Sequence, residues 1–347
     1  MLTKLKTKIK NFTRNIVYEG VSQYFNHVVL SQSSTPQQDA KVLNFDFTDV
    51  KYSILYENNY KPIISSDQKN DYYKKEHNLL DYHISFFNAL TSAINLQGKR
   101  VLEIGGSNMP KELVIKDAGA SKWVCIDKSW GYGFSAEHKN KIPVIKFGEM
   151  ELKDALVDND YVIYDGYAEQ MTEDFYEQFD VCISNCCFEH VTQLPLVLDL
   201  IYYTLRPDGK LYASFSPIYS SSNGSHLWVV DKGQNIELTH ANWPPELDWA
   251  HLYMGYAQIY EKLESLYGTD FAKKHTYKFK NGEHLNRLFF EDYVFIMHNS
   301  MFQMKSIHPL FCNNTIPEET MVLLRQMYPG YLRFDVSCIL MQAYKNN

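Results

Sequence analysis

The sequence predicts an α/β fold: a doubly wound, mostly parallel sheet of seven strands, with an N-terminal helical extension and an inserted lobe. Three observations predict it. Short apolar runs recur through the middle of the chain, at 99–104, 122–127, 161–164, 179–184 and 210–215. Segments that read as helices stand between them, at 110–117, 171–177 and 192–204. The alternation stops at 217 and resumes near 300. Short buried strands separated by helices pair in parallel through right-handed crossovers, with helices on both faces of the sheet.

Taken in order, the chain begins with Leu2, Leu5, Ile9, Phe12 and Ile16 at alternating three- and four-residue intervals, one face of a helix. Lys4, Lys6, Lys8, Lys10 and Arg14 make this helix basic, and no continuous apolar stretch of a signal peptide accompanies it. Such a helix would pack on its own protein, lie peripherally on an acidic membrane surface, or meet a second copy in a homo-oligomer. A polar stretch from Ser31 to Gln38 reads as a linker, and residues 42–56 alternate enough for short strands. An amphipathic helix is predicted over 71–95, ending near Gly98. The expected organisation is 1–98 as an N-terminal region, 99–216 with 300–347 as the core, and 217–299 as an inserted substrate-covering lobe. Within that lobe one helix is predicted, over 248–266. The last two strands are expected at 301–307 and 334–344, with a helix from Pro317 between them.

Composition excludes several classes. The chain has 347 residues, 45% of them apolar and 22% charged, which is ordinary for a folded protein and too apolar for a disordered one. A formal charge of −7 argues against a nucleic-acid partner, whose backbone needs clustered Lys and Arg. No run approaches the roughly 18 to 20 apolar residues of a membrane span. Six cysteines, Cys125, Cys182, Cys186, Cys187, Cys312 and Cys338, lie mostly in apolar stretches without paired spacing and read as reduced core thiols. A cytoplasmic location is the expectation.

The residues that carry chemistry fall at strand ends. Glu103-Ile104-Gly105-Gly106-Ser107-Asn108 closes the first strand, where glycine permits a tight turn and a ligand can approach the backbone. A carboxylate at Glu103 would receive the ammonium of an amino-acid moiety. Asp127 ends the next strand about twenty residues later, where an acid accepts both hydroxyls of a ribose. Asp165-Gly166-Tyr167-Ala168-Glu169 follows the third strand, at the level where an adenine edge is read. Phe179 to Asn185 leads into Cys186-Cys187-Phe188-Glu189-His190, and Leu205-Arg206-Pro207-Asp208-Gly209-Lys210-Leu211 reads as a helix end, a turn and a strand start.

With these motifs in this order, residues 99–216, and more faintly 300–344, resemble the class I S-adenosylmethionine-dependent methyltransferases. The resemblance implies a Rossmann-like fold and S-adenosylmethionine as cofactor. It assigns the methionine part to Glu103, Gly105 and Ser107, with Gly106 in the same cofactor-binding turn, the ribose to Asp127, the adenine to Tyr167 and Ala168, and the surroundings of the sulfonium to Ser184 and Asn185. Ser107 and Met109 stand where the family's second and third glycines would be, and Tyr167 replaces an acid often found there.

Specificity then belongs to the lobe. An alcohol acceptor needs a base within hydrogen-bond reach, whereas an amine needs only to arrive deprotonated. His226, in Ser216 to Trp228 after the fifth strand, is the first candidate base, with Glu189 and His190 the second. Tyr219, Trp228, Trp243 and His251 are expected to line the acceptor cleft, and His240 and Trp249 lie near them in sequence. No spacing matches a zinc pattern and no metal is expected, although a divalent ion on Asp165, Glu189 and histidines would be an alternative to a base. The motifs LEIGGSNMP and SPIYSSSNGSHLW, with an aromatic lobe behind them, resemble methyltransferases of bacterial surface-glycan and capsule biosynthesis. That resemblance implies O-methylation of a hexose or heptose hydroxyl, with a small-molecule or nucleotide-linked sugar as partner. Two alternatives stand beside it: a methyltransferase of a small natural product or lipid head group, and a non-catalytic relative that binds adenosine metabolites.

Overall fold

The computed structural model describes residues 68–77, 79–105, 109–128, 142–231, 233, 236–239, 242–282, 284–310 and 316–346. The basic helix, the polar linker and the strands expected before residue 57 lie outside the described residues, as do Gly106, Ser107, Asn108, His240 and Cys312. The helix expected over 71–95 is two helices, α1 (Gln68–His77) and α2 (Asp81–Ala93). At the start of α2 the His83 ring folds back, so that Nδ1 accepts the Leu80 N–H at 3.0 Å. Burial depresses the His83 pKa to about 4 and keeps the ring neutral in that role.

Five strands follow with short connections: β1 (Arg100–Ile104), β2 (Lys122–Ile126), β3 (Val144–Lys146), β4 (Tyr161–Asp165) and β5 (Phe179–Asn185). Helix α3 (Leu152–Ala155) precedes β4, α4 (Leu194–Thr204) follows β5, and β6 (Leu205–Phe215) follows α4. After the lobe come α8 (Phe290–His298), β9 (Gln303–Leu310), α9 (Glu318–Met327) and β10 (Cys338–Tyr344). The sheet has eight strands in the order β3-β4-β2-β1-β5-β6-β10-β9, one more than the sequence predicts. The extra strand, β3, is a three-residue edge strand paired only with β4, too short to show a period. β3, β4, β2, β1, β5 and β6 run parallel, and β10 pairs antiparallel with both β6 and β9.

The core lies against the sheet. Ile84, Phe86, Phe87 and Leu90 of α2 join Val101, Trp123, Cys125, Tyr161, Ile163, Val181, Ile183 and Tyr212 in one apolar cluster. Residues on the opposite side of the strands pack elsewhere, Tyr164 meeting the rings of Phe147 and Phe175 at 5.2 and 5.1 Å. The helix expected over 110–117 is a π-helical turn, Glu112–Asp117, joined to α1 by the Tyr73 hydroxyl, which donates to Asp117.

Two local expectations are corrected. Residues 171–177 form no α-helix but 3₁₀ turns at Ala168–Gln170 and Glu173–Phe175. The Asp174 carboxylate takes the Leu152 N–H at 2.8 Å at the start of α3 and accepts from the Thr172 hydroxyl, side-chain bonds that compete with continuing the helix. The Leu205–Leu211 segment is part of β6 throughout. Its turn residues make a bulge: Phe179 pairs with Leu205, yet Val181 pairs with Lys210, and Asp208 takes a left-handed φ of 61°.

Residues beyond β6 form a hairpin, β7 (Val229–Asp231) with β8 (Ile236–Leu238), and three helices, α5 (Ala250–Tyr253), α6 (Tyr256–Tyr267) and α7 (Thr269–Asn281). The single helix expected over 248–266 is therefore broken at Met254-Gly255, and α7 is an addition. Leu227, Leu238, Leu247, Ile259, Leu263, Phe271 and Phe279 give this region an apolar cluster of its own. α8 leaves it and packs on α4 and β9. Among the described residues, no helix is long and apolar enough to cross a membrane.

Candidate active site at the carboxyl ends of the strands

The parallel strands bring the ends of β1, β2, β4, β5 and β6 to one edge of the sheet, and the strand order reverses direction between β1 and β5. A crevice at such a reversal is where open α/β sheets bind ligands. Glu103 is 1% exposed, and its Oε2 accepts the Trp123 indole N–H at 2.7 Å. Burial, against the Trp123 bond and with the charge of Asp127 adding, lifts its pKa to about 8. Two acids so placed favour a ligand that brings positive charge and hydroxyl donors.

Gly105 has φ 69° and donates its N–H to Ile126 O at 2.8 Å, closing the turn onto β2. A Cβ there would stand 2.3 Å from Cys187 Sγ and 2.6 Å from Cys187 Cβ, so glycine is required by both conformation and space. Asp127 donates its backbone N–H to Tyr164 O at 3.1 Å, which ties the ends of β2 and β4. Ser184 is buried and its hydroxyl donates to Ile104 O at 3.0 Å, and Asn185 follows it, also buried. Ala168 is buried, whereas the Tyr167 side chain is 59% exposed and its N–H is held by Gln170 Oε1 at 2.7 Å. Glu103, Gly105, Asp127, Ser184 and Asn185 thus share one edge of the sheet. Cys125, Cys182, Cys186, Cys187 and Cys338 are free thiols.

Beyond β5 and β6 stands a second cluster. Glu189 is 1% exposed, Oε1 accepts the Ser216 N–H at 3.3 Å, and Oε2 is buried without a hydrogen-bond partner. Burial raises its pKa to about 8 against the backbone donors. The His190 ring packs edge-on against His226, with centroids 5.2 Å apart. His190 Nδ1 lies 3.0 Å from the His284 carbonyl, which can only accept, so Nδ1 carries the proton and Nε2 the lone pair when the ring is neutral. The His190 side chain is 43% exposed, and partial desolvation of its ring lowers its pKa below the ordinary value, partly countered by the His284 carbonyl. By the same logic His226 Nε2 donates to Pro217 O, at 2.5 Å. His190 Nε2 and Glu189 Oε1 stand 4.0 Å apart, too far for a direct hydrogen bond.

The aromatic residues divide. Trp228, 37% exposed, lies 5.8 Å from the His226 ring and meets Trp243 edge-on, while Trp243 stacks on Phe279. Tyr219 and His251 are instead interior. His251 is fully buried, its Nε2 on the Tyr219 carbonyl at 2.8 Å and its pKa pushed down to about 3 by burial. Trp249 is also buried and donates to Phe334 O at 2.8 Å. Sequence reasoning did not single out Asn286 or His284, which bind the turn carrying Glu189 and His190, because nothing local marks them. Among the described residues no group of three or more His, Cys, Asp or Glu side chains is placed to hold a metal ion.

A family model described as a methyltransferase domain matches residues 76–289, more than half of the chain. The chain belongs to this methyltransferase-domain family, and it is an enzyme that uses S-adenosylmethionine. No curated protein matches the sequence. Among solved structures, an S-adenosylmethionine-dependent methyltransferase from Mesorhizobium loti is 13% identical, over 75% of this chain and 97% of that one, with TM-score 0.41. Phosphoethanolamine N-methyltransferase 2 of Haemonchus contortus, in complex with S-adenosyl-L-methionine, is 12% identical over 76% of this chain and 52% of that one, with TM-score 0.40.

Proposed function

We propose that the enzyme methylates a hydroxyl of a hexose or heptose, free or nucleotide-linked, in bacterial surface-polysaccharide synthesis. The observation that carries this reading is the cluster of Glu189, His190 and His226 beside the exposed Trp228 indole, beyond the ends of β5 and β6. A sugar hydroxyl has a very high pKa and gains from a base; a flat aromatic face suits the apolar side of its ring.

S-adenosylmethionine supplies a methyl group already activated on its sulfonium. Glu103 would receive its ammonium, Asp127 the ribose hydroxyls, Tyr167 and Ala168 the adenine, and Ser184 and Asn185 the neighbourhood of the sulfur. The described part of the glycine turn, Gly105, supports that placement through its tight closure onto β2. What remains for the protein is to hold the acceptor in line, exclude water and take a proton.

The sequence prefers His226 as the base, but the geometry favours His190. The proton leaving the hydroxyl would pass to His190 Nε2, where the new positive charge lies near the Glu189 carboxyl and makes that carboxyl easier to ionise. His226 has its Nε2 committed to Pro217 O and is flanked by the rings of His190 and Trp228. Tyr219 and His251, expected to line the acceptor cleft, are buried behind this cluster, so the reading rests on Trp228 and not on them.

The test is a panel of nucleotide-linked hexoses and heptoses incubated with S-adenosylmethionine and read by mass spectrometry for gain of one methyl. On the acceptor found, His190→Gln should lower kcat by about 10²- to 10⁴-fold. S-adenosylhomocysteine binding, measured by calorimetry, should not change. Methylation of small amines but of no sugar would overturn the acceptor class, and full turnover by His190→Gln would overturn the base.

A further inference from the structure

Where the chain returns from the lobe, His284 and Arg287 both take left-handed backbone conformations, with φ of 67° and 59°. For residues other than glycine such a conformation is strained and persists only where the surroundings over-determine it. Between them Asn286 is buried, and its amide is fully used. Nδ2 donates to Phe188 O at 2.7 Å and to Val191 O at 3.2 Å, while Oδ1 accepts from the Tyr293 hydroxyl at 2.9 Å and the Leu288 N–H at 3.1 Å. Its backbone N–H donates to Glu189 O at 2.9 Å. Three consecutive bonds thus grip the turn 188–191 from one residue. Two residues earlier, the His284 carbonyl holds His190 Nδ1.

An amide alone satisfies this environment, because the two carbonyls need donors and the hydroxyl and N–H need an acceptor on the same side chain. A carboxylate would take away the donor to Val191 O and leave Phe188 O with only the longer bond from the Val191 N–H at 3.4 Å, and an apolar residue would also remove the acceptor of the Tyr293 hydroxyl and the Leu288 N–H. The strained segment and the saturated amide lie on the turn that carries both Glu189 and His190.

We propose that Asn286, itself seated by the Tyr293 hydroxyl, is a positioning residue of the methyl transfer: it clamps the Phe188–Val191 turn so that the His284 carbonyl fixes the His190 ring with Nε2 as its open nitrogen. The inference rests on His190 as the base. Loss of the clamp frees the ring to exchange tautomers and withdraws the lone pair from the acceptor for part of the time, without touching the residues at the ends of β1 and β2.

The experiment is nuclear magnetic resonance of the full chain with ¹⁵N-labelled histidine, the His190 signals being those lost in His190→Gln. The unaltered protein should show His190 as the Nδ1–H tautomer. Asn286→Asp should give a mixture of tautomers and move the His190 titration midpoint toward that of an ordinary histidine, with S-adenosylhomocysteine affinity close to that of the unaltered protein. Tyr293→Phe, which keeps the ring and removes only the hydroxyl, should give the same change in smaller degree. The inference is overturned if folded Asn286→Asp leaves the His190 tautomer and titration unchanged, or if Tyr293→Phe does so where Asn286→Asp does not fold. A tautomer that responds to the clamp while His190→Gln keeps full turnover supports the positioning and rejects the base.

Discussion

Replacing Glu103 by Gln should stabilise the protein without its cofactor and weaken cofactor binding, two effects of opposite sign from one change. Glu103 is buried, and its pKa rises from 4.5 to about 8 on folding. Between those values the folded protein holds a proton that the unfolded chain has released. Stability attributable to Glu103 is therefore greatest below the unfolded value and falls as pH rises to the folded one. Glu189, which burial also raises to about 8, adds in the same direction. Each group contributes at most about 1.4 kcal/mol per pH unit, and at most about 5 kcal/mol across the window. Glutamine keeps an acceptor for the Trp123 indole and carries no charge, so denaturant unfolding of Glu103→Gln should show about half the pH slope that these two groups give. The ammonium of the cofactor would lose a charged partner, worth about 1.5 to 3 kcal/mol, or roughly 10- to 100-fold in Kd for S-adenosylhomocysteine. Binding to the unaltered protein at neutral pH should also expel a large part of one proton, measurable by calorimetry in buffers of different ionisation enthalpy, and the variant should expel less. Equal affinity and equal proton release in the two proteins would refute a cofactor role for Glu103, and an unchanged pH slope would refute its buried titration.

Gly105→Ala should destabilise the fold by about 2 to 6 kcal/mol in denaturant unfolding, the sum of a left-handed alanine and an overpacked contact. Cys187→Ala in the same chain should recover only the part due to Sγ, because Cys187 Cβ still lies 2.6 Å from the new atom. Trp228→Ala should raise the KM for the acceptor while leaving S-adenosylhomocysteine binding within about twofold, as calorimetry and initial rates would show, because its ring stands beside His226 and is not among the residues assigned to the cofactor.

The parts of this molecule that the sequence discloses are those whose reason is local. A run such as Val101 to Ile104 is too short for a helix and too apolar for a loop, so it reads as a strand, and the residue after it reads as a strand end wherever the sheet turns out to stand. That is how Gly105, Asp127, Ser184 and Asn185 become legible together. The three-residue strand β3 escapes because its identity comes from pairing with β4, and 171–177 escapes because the Asp174 carboxylate caps a helix 22 positions away. The histidines show the limit most sharply. Nothing in a spacing distinguishes His226, which reaches the edge of the site, from His251, which is sealed against the Tyr219 carbonyl. Nor can a local pattern single out Asn286, whose amide meets its acceptor carbonyl 98 positions earlier in the chain. A site built across such separations is specified by packing partners, and the buried Asn286 amide between two left-handed residues is the trace they leave in the structure.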